Sequence, residues 1–184
     1  MDTKEIRFHG RGGQGVVTAA ELMAVAAFED GKYAQAFPSF GSERMGAPVQ
    51  SFLRIADEKI RGRYQIIEPD YLVVQDPTLI LTGVPVFNGL KDDGVAIVNT
   101  ERSPDELGIE TKARILTLPA TKIALEILGR PIMNTTLMGA FAGATGLIST
   151  EGIARAIRHR FPEPIAEKNV VAVEKAYEMM KGAL

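Results

Sequence analysis

The chain has 184 residues, 46% hydrophobic and 24% charged, and its 21 basic and 23 acidic side chains leave a net charge of −2. That is enough apolar material for one sizeable core, with no basic field to draw a nucleic-acid backbone. Cysteine is absent, which excludes from this chain a disulfide framework, thiolate-bound zinc, an iron–sulfur cluster and a cysteine nucleophile.

The first residues lack the apolar centre of a secretory signal. The most apolar run, residues 16–28, carries Glu21 and falls short of the roughly 20 apolar residues a membrane span requires. The sequence therefore reads as cytoplasmic, and with no repeat or low-complexity tract to divide it, as one domain over residues 1–184. In chain order, residues 6–9 form a short strand, residues 10–15 a glycine loop, and residues 16–30 a helix rich in Ala, Leu, Met and Glu that Gly31 ends. Residues 33–37 are a second strand. Residues 49–55 alternate apolar with polar at period two, the pattern of a half-buried strand. Tyr71–Val74 and Val95 to Val98 are apolar runs without alternation, expected in the middle of a sheet covered on both faces by helices.

Asp76-Pro77 reads as a helix cap followed by proline at the first helical position, and Asp92-Asp93-Gly94 as a turn. A further strand is expected at residues 114–118 and a helix at 120–128 that ends at Gly129. The C-terminal third is helical: Asn134 caps one helix, Thr150 caps a second, and residues 163–181 supply a third. Glycines at 139, 143 and 146 interrupt otherwise helical sequence at a cost of about 1 kcal/mol each relative to alanine. They imply a close approach, either to the chain's own sheet or to another subunit.

The strongest local signal is Gly10-Arg11-Gly12-Gly13-Gln14-Gly15, which satisfies G-x-G-x-x-G between a strand and a helix. Glycines let the chain turn and approach a ligand closely, and the helix start offers N–H groups and a positive dipole end to an anion such as a diphosphate. Arg11 adds a guanidinium suited to phosphate or carboxylate. Val16-Val17 follow where a triphosphate-binding loop has Lys and Ser or Thr. No acid ends the second strand to hold a ribose, and Gln35 is the only polar candidate there. The alternative is a turn that serves packing alone.

The stretch from Pro38 to Pro48 is a long loop that must be ordered by something. Ser39, Phe40, Gly41, Ser42, Glu43 and Arg44, followed by Met45, mix apolar anchors and polar groups as partner or active-site surfaces do. No nucleophile elbow, metal-binding His pair or triad is present, and His9 and His159 stand far apart. The basic residues Arg155, Arg158, His159 and Arg160 read as the solvated face of a helix. No catalytic or metal-ligating residue is expected.

These motifs resemble the gamma subunit, or gamma domain, of the 2-oxoacid:ferredoxin oxidoreductases, and the pyruvate type in particular. The resemblance rests on Ile6 to Gly15, on Phe37 to Pro48 with the strand after it, on Pro69-Asp70-Tyr71 to Asp76, and on Asn134 to Gly146. The family form has Arg where this chain has Met45. The resemblance implies a multi-subunit, oxygen-sensitive pyruvate:ferredoxin oxidoreductase that uses thiamine diphosphate, iron–sulfur clusters and coenzyme A. The thiamine diphosphate and clusters are then expected in alpha, beta and delta-type partner subunits, with ferredoxin a more distant partner. This chain would contribute assembly and coenzyme A binding at Gly10 to Gly15. The fold expected is α/β: a single Rossmann-like domain, its mostly parallel sheet covered by helices, with a helical C-terminal third. An independent dinucleotide-binding reductase and a scaffold that binds no ligand are the alternatives.

Overall fold

The computed structural model describes residues 3–39 and 44–184. Strand β1 (Lys4–Arg11) leads into helix α1 (Val16–Glu29), and β2 (Tyr33–Pro38) and β3 (Pro48–Ala56) follow. The chain continues through β4 (Tyr71–Val74), the single turn α2 (Thr78–Leu81), β5 (Val95–Asn99) and β6 (Arg114–Leu118). It ends in α3 (Ala120–Leu128), α4 (Asn134–Thr145), α5 (Thr150–Arg160) and α6 (Glu163–Met180). The sheet order is β2-β3-β1-β4-β5-β6. Pairings β1/β4, β4/β5 and β5/β6 are parallel, whereas β3 runs antiparallel to both β1 and β2. The sheet is thus mostly parallel, with the expected inner strands β4 and β5 in its interior.

The two faces of this sheet are covered by different means. Ile6, Phe8, Leu53, Ile55, Val73 and Ile97 face the longer helices, and all five of those helices share one continuous apolar core with them. Glu5, Arg7 and His9 pair across β1 and β3 with Arg54, Phe52 and Gln50, so these six share the opposite face. That face is covered by α2 and by irregular chain from residues 57–70 and 84–90, not by a second layer of helices. Here the structure corrects the reading of β3 as half-buried: every residue from Ser51 to Ala56 is buried. Its polar members are sequestered because they have local partners. Arg54 donates to Glu5 Oε1 at 2.7 Å and stacks 4.3 Å from the Tyr64 ring centroid.

The helical third holds together by close backbone contact. A Cβ at Gly139 or Gly143 would run into the backbone of Val173 or Tyr177 on α6, so the small residues of α4 admit α6 of the same chain. Three caps differ from expectation. Pro77, not Asp76, immediately precedes α2, which begins at Thr78. Met133 precedes α4, and Asn134 instead donates to the carbonyl of Gly15 at 3.3 Å. Ser149, one residue before Thr150, caps α5 by accepting from the Gly152 N–H at 2.9 Å, because its position is fixed by Asp30 at the end of α1. Among the described residues no helix is long and apolar enough to cross a membrane.

Candidate functional site

The carboxyl ends of β1, β4 and β5 meet around the glycine segment, the place where an open α/β sheet offers a crevice. Strand β1 runs further than the sequence pattern implies: Gly10 and Arg11 still pair with Val49 and Pro48 of β3. The turn proper begins at Gly12, where Gln14 donates its N–H to the Arg11 carbonyl at 3.1 Å. Gly13 and Gly15 have φ of 93° and 71°, a region that side chains rarely adopt, and Gly15 opens α1 with no side-chain cap.

The second loop folds onto this turn. Gly12 donates to the Ala47 carbonyl at 2.9 Å, Gly46 donates to the Gly12 carbonyl at 3.1 Å, and Gly12 bridges Met45. A Cβ at Gly12 would strike the Arg44 carbonyl, and one at Gly13 the Met45 sulfur. Two of these glycines therefore serve protein–protein approach within the chain. Met45 itself is 86% exposed over the turn. Ser39 is tied to β3 through its N–H, which donates to the Gln50 carbonyl at 3.0 Å, and Arg44 is exposed. Phe40, Gly41, Ser42 and Glu43 lie outside the described residues.

Arg11 is committed to this architecture. Its guanidinium donates to Thr78 Oγ1 at 3.0 and 3.2 Å and to the Gly46 carbonyl at 3.1 Å, and it pairs with Asp76 Oδ2 at 3.2 Å. Asp76 receives the Gln14 amide at 2.8 Å, the Thr78 N–H at 2.9 Å and the Thr78 hydroxyl at 2.6 Å. Burial alone would raise the Asp76 pKa. The bonds from Thr78 and Gln14, together with the Arg11 charge, outweigh that and lower it. The carboxylate thus fixes the turn, the second loop and α2 at one point.

A second tier extends the network inward. The buried Gln75 donates its amide to the Gln14 carbonyl at 2.9 Å, and Asn99 donates to the Gln75 carbonyl and Thr121 Oγ1, both at 2.8 Å. His9 lies beneath, 1% exposed, and accepts from Arg7 Nε at 2.9 Å. Burial, and then the Arg7 charge, push its pKa down to about 3, so it stays neutral and structural. The basic face of α5 is solvent-exposed and partly paired: Arg155 meets Glu29 at 2.9 Å and Arg158 grips Glu167 at 2.7 and 3.0 Å.

Sequence reasoning placed Gly10 to Gly15 and Arg11 here, and it missed Asp76, Thr78, Gln75, Asn99 and Asn134 as their partners. Asp76 read as a helix cap alone, although its position at the carboxyl end of a central strand carries the signal of a site residue. The dinucleotide alternative loses ground on topology. Strand β3 lies between β1 and β2, so the end of β2, with Gln35, is not adjacent to the glycine turn. Among the described residues no group of acidic, His or Cys side chains is set to hold a metal ion.

Comparison with known proteins agrees with the fold. The family model described as pyruvate ferredoxin/flavodoxin oxidoreductase matches residues 5–179. Pyruvate synthase subunit PorC of Methanosarcina barkeri is 59% identical over 179 residues, which cover 97% of this chain and 98% of that protein. The pyruvate/ketoisovalerate oxidoreductases common subunit gamma of Thermococcus kodakarensis is 54% identical over 176 residues, 94% of this chain and 95% of that protein. Among solved structures, pyruvate oxidoreductase subunit PORC of Thermotoga maritima superposes with a TM-score of 0.86 at 38% identity, covering 97% of each chain.

Proposed function

This chain belongs to the pyruvate ferredoxin/flavodoxin oxidoreductase family as a gamma subunit, and from that premise we propose that its one domain, residues 1–184, assembles the complex and positions coenzyme A. The bond chemistry is left to other subunits. The complex then interconverts pyruvate, coenzyme A and oxidised ferredoxin with acetyl-CoA, CO2 and reduced ferredoxin in the cytoplasm. Thiamine diphosphate and the iron–sulfur clusters reside in alpha, beta and delta-type partners, in keeping with a sequence that has no cysteine.

The observation that carries the coenzyme A role is the uncapped start of α1 at Gly15, which opens from a glycine turn at the carboxyl ends of β1 and β4. Free amides at a helix start, with the dipole behind them, suit a diphosphate. Arg11 holds the turn's shape through Asp76 and Thr78 and adds positive charge beside it, and the second loop buttresses Gly12. A scaffold that binds no ligand is the second reading, favoured by the Arg11 and Gly12 N–H groups, which are already spent on Gln14 and Ala47.

Anaerobic purification through a tag on this chain tests both. Partners carrying thiamine diphosphate and clusters, with ferredoxin reduction that requires pyruvate and coenzyme A, are expected. A chain that emerges alone and inactive from its native cells overturns the assembly role. Val17→Asp then separates the two readings, since an acid in the first turn favours the helix itself while repelling a bound anion. In the assembled enzyme the KM for coenzyme A should rise about tenfold, the effect of ~1.4 kcal/mol, with kcat retained. An unchanged KM leaves the turn a structural device.

A further inference from the structure

On the helical side, a cleft of about 520 Å³ opens between the start of α1, the segment that joins α3 to α4, and the junction of α5 with α6. Its apolar lining comes from Leu128, Ile132, Phe161, Pro164 and Ile165, and Ile132 and Ile165 are 46% and 52% exposed. Arg130, Arg160 and Lys168 stand among them, all exposed, and among the described residues no carboxylate lines the cleft. Their side chains make no ion pair or hydrogen bond among the described residues. That is unusual company, because Arg158 and Lys175 on the same pair of helices are neutralised by Glu167 and Glu126 at 2.7 and 2.9 Å. A net charge of −2 for the whole chain makes three unmatched cations in one cleft a local excess.

We infer that this cleft docks an acidic segment of a partner subunit, with one apolar side chain seated between Phe161 and the Ile132 and Ile165 rims and its carboxylates on Arg130, Arg160 and Lys168. The charge pattern selects the occupant. Long basic side chains around an apolar centre match a segment that brings acids beside an aliphatic or aromatic anchor, and pairing there removes three cations from competition with solvent. A small organic phosphate fits less well. The start of α6 at the cleft carries Glu163 in its first turn and Pro164, which has no N–H, and α1 lends the lining only Thr18 and none of its glycine turn, so the cleft offers little of the amide cradle that phosphates use. The inference rests on the gamma-subunit role proposed above.

The test is zero-length carbodiimide cross-linking of the complex purified through this chain, followed by peptide mass spectrometry. The reagent joins an amine to a carboxylate only where the two already touch. An amide between Lys168 and an Asp or Glu of another subunit is the expected product. Its absence, or bonds from Lys168 solely to carboxylates of this chain, overturns the inference. Independently, combined R130E, R160E and K168E substitutions should leave the circular dichroism of the free chain unchanged and raise the dissociation constant of this chain from its partners at least tenfold. Unchanged retention of partners also overturns it, as does saturable binding of adenosine triphosphate to the free chain that the same substitutions abolish while no Lys168 cross-link forms in the complex. Failure of the wild-type chain to bring down any partner would instead strike the gamma-subunit role.

Discussion

His9 has no means of taking a proton inside this fold, since its Nε2 accepts from a permanently charged Arg7 and both are buried. Its folded pKa of about 3 lies below the usual value of 6.5. Above pH 6.5 both states are neutral and nothing is lost. As pH falls from there toward 3 the unfolded chain binds a proton that the native chain refuses, so stability drops by up to ~1.4 kcal/mol per pH unit. Urea denaturation of wild type and His9→Gln between pH 7 and 4 checks this: glutamine keeps an acceptor for Arg7, and the variant should lose less stability on acidification. Parallel pH profiles would show that His9 titrates normally. Asp76 makes the converse case at the glycine turn. Asp76→Ala strands the Gln14 amide, the Thr78 N–H and hydroxyl, and Arg11, and should cost about 2–4 kcal/mol in urea denaturation. Asp76→Asn keeps an acceptor for the Thr78 N–H and hydroxyl but sets an NH2 against the Gln14 amide and Arg11, so it should cost less than the alanine variant without restoring wild-type stability.

Between elements, the most exacting contact is α4 against α6, where Gly139 and Gly143 let backbones meet. Gly143→Ala would gain about 1 kcal/mol of helix propensity and lose more by forcing the helices apart, for a net destabilisation of about 1–2 kcal/mol. In thermal melts the midpoint should fall by roughly 3–6 °C, and a rise would mean that the interface relaxes freely. This pair also shows what a sequence reveals and what it conceals. The glycines announced close approach, but only the fold says that the neighbour is Val173 and Tyr177, thirty-four residues on in each case. Runs such as Arg114–Leu118 and Ala120–Leu128 were legible to the residue because their signals are local: β-branched content, then a helix pattern closed by Gly129. Strand β3 was misread because its period-two pattern says which residues share a face and not what covers that face; Glu5 and Tyr64 make Arg54 an inside residue. Asn134 has the composition of a cap, yet a carbonyl 119 residues earlier claims its amide. The candidate site divides the same way. Its glycine turn was written in consecutive residues, whereas the Gln14–Asp76 and Arg11–Thr78 bonds span 62 and 67 positions and leave no periodic trace.

Taken whole, the molecule is built asymmetrically about its sheet, and the asymmetry has a mechanical basis. The helical face is secured by one continuous apolar core, which needs no single residue to hold it. On the other face a small apolar cluster of Val74, Leu79, Val86 and Val98 is supplemented by Arg7. Its guanidinium donates to the carbonyls of Ile66 and Ile67 at 3.4 and 3.3 Å and to those of Val86 and Asn88 at 3.1 and 2.5 Å. One side chain thus ties to the central strand both residues 58–68, which have few backbone bonds of their own, and residues 84–90, which are held otherwise by short turns. Such segments open at low cost unless they are anchored, and their amides then exchange with solvent independently of the core. Arg7→Leu should therefore accelerate hydrogen exchange at residues 58–68 and 84–90 at least tenfold while α1, α4 and α6 keep their protection. Exchange that rises uniformly across the chain would make Arg7 part of the global core, and exchange that does not change would show that the Val86 cluster and the packing of Ile66 on Phe37 and Phe52 hold these segments down without it. The expected outcome leaves a rigid helical layer behind a sheet whose other face is dressed by two clamped loops, with the glycine turn at the carboxyl ends of its central strands.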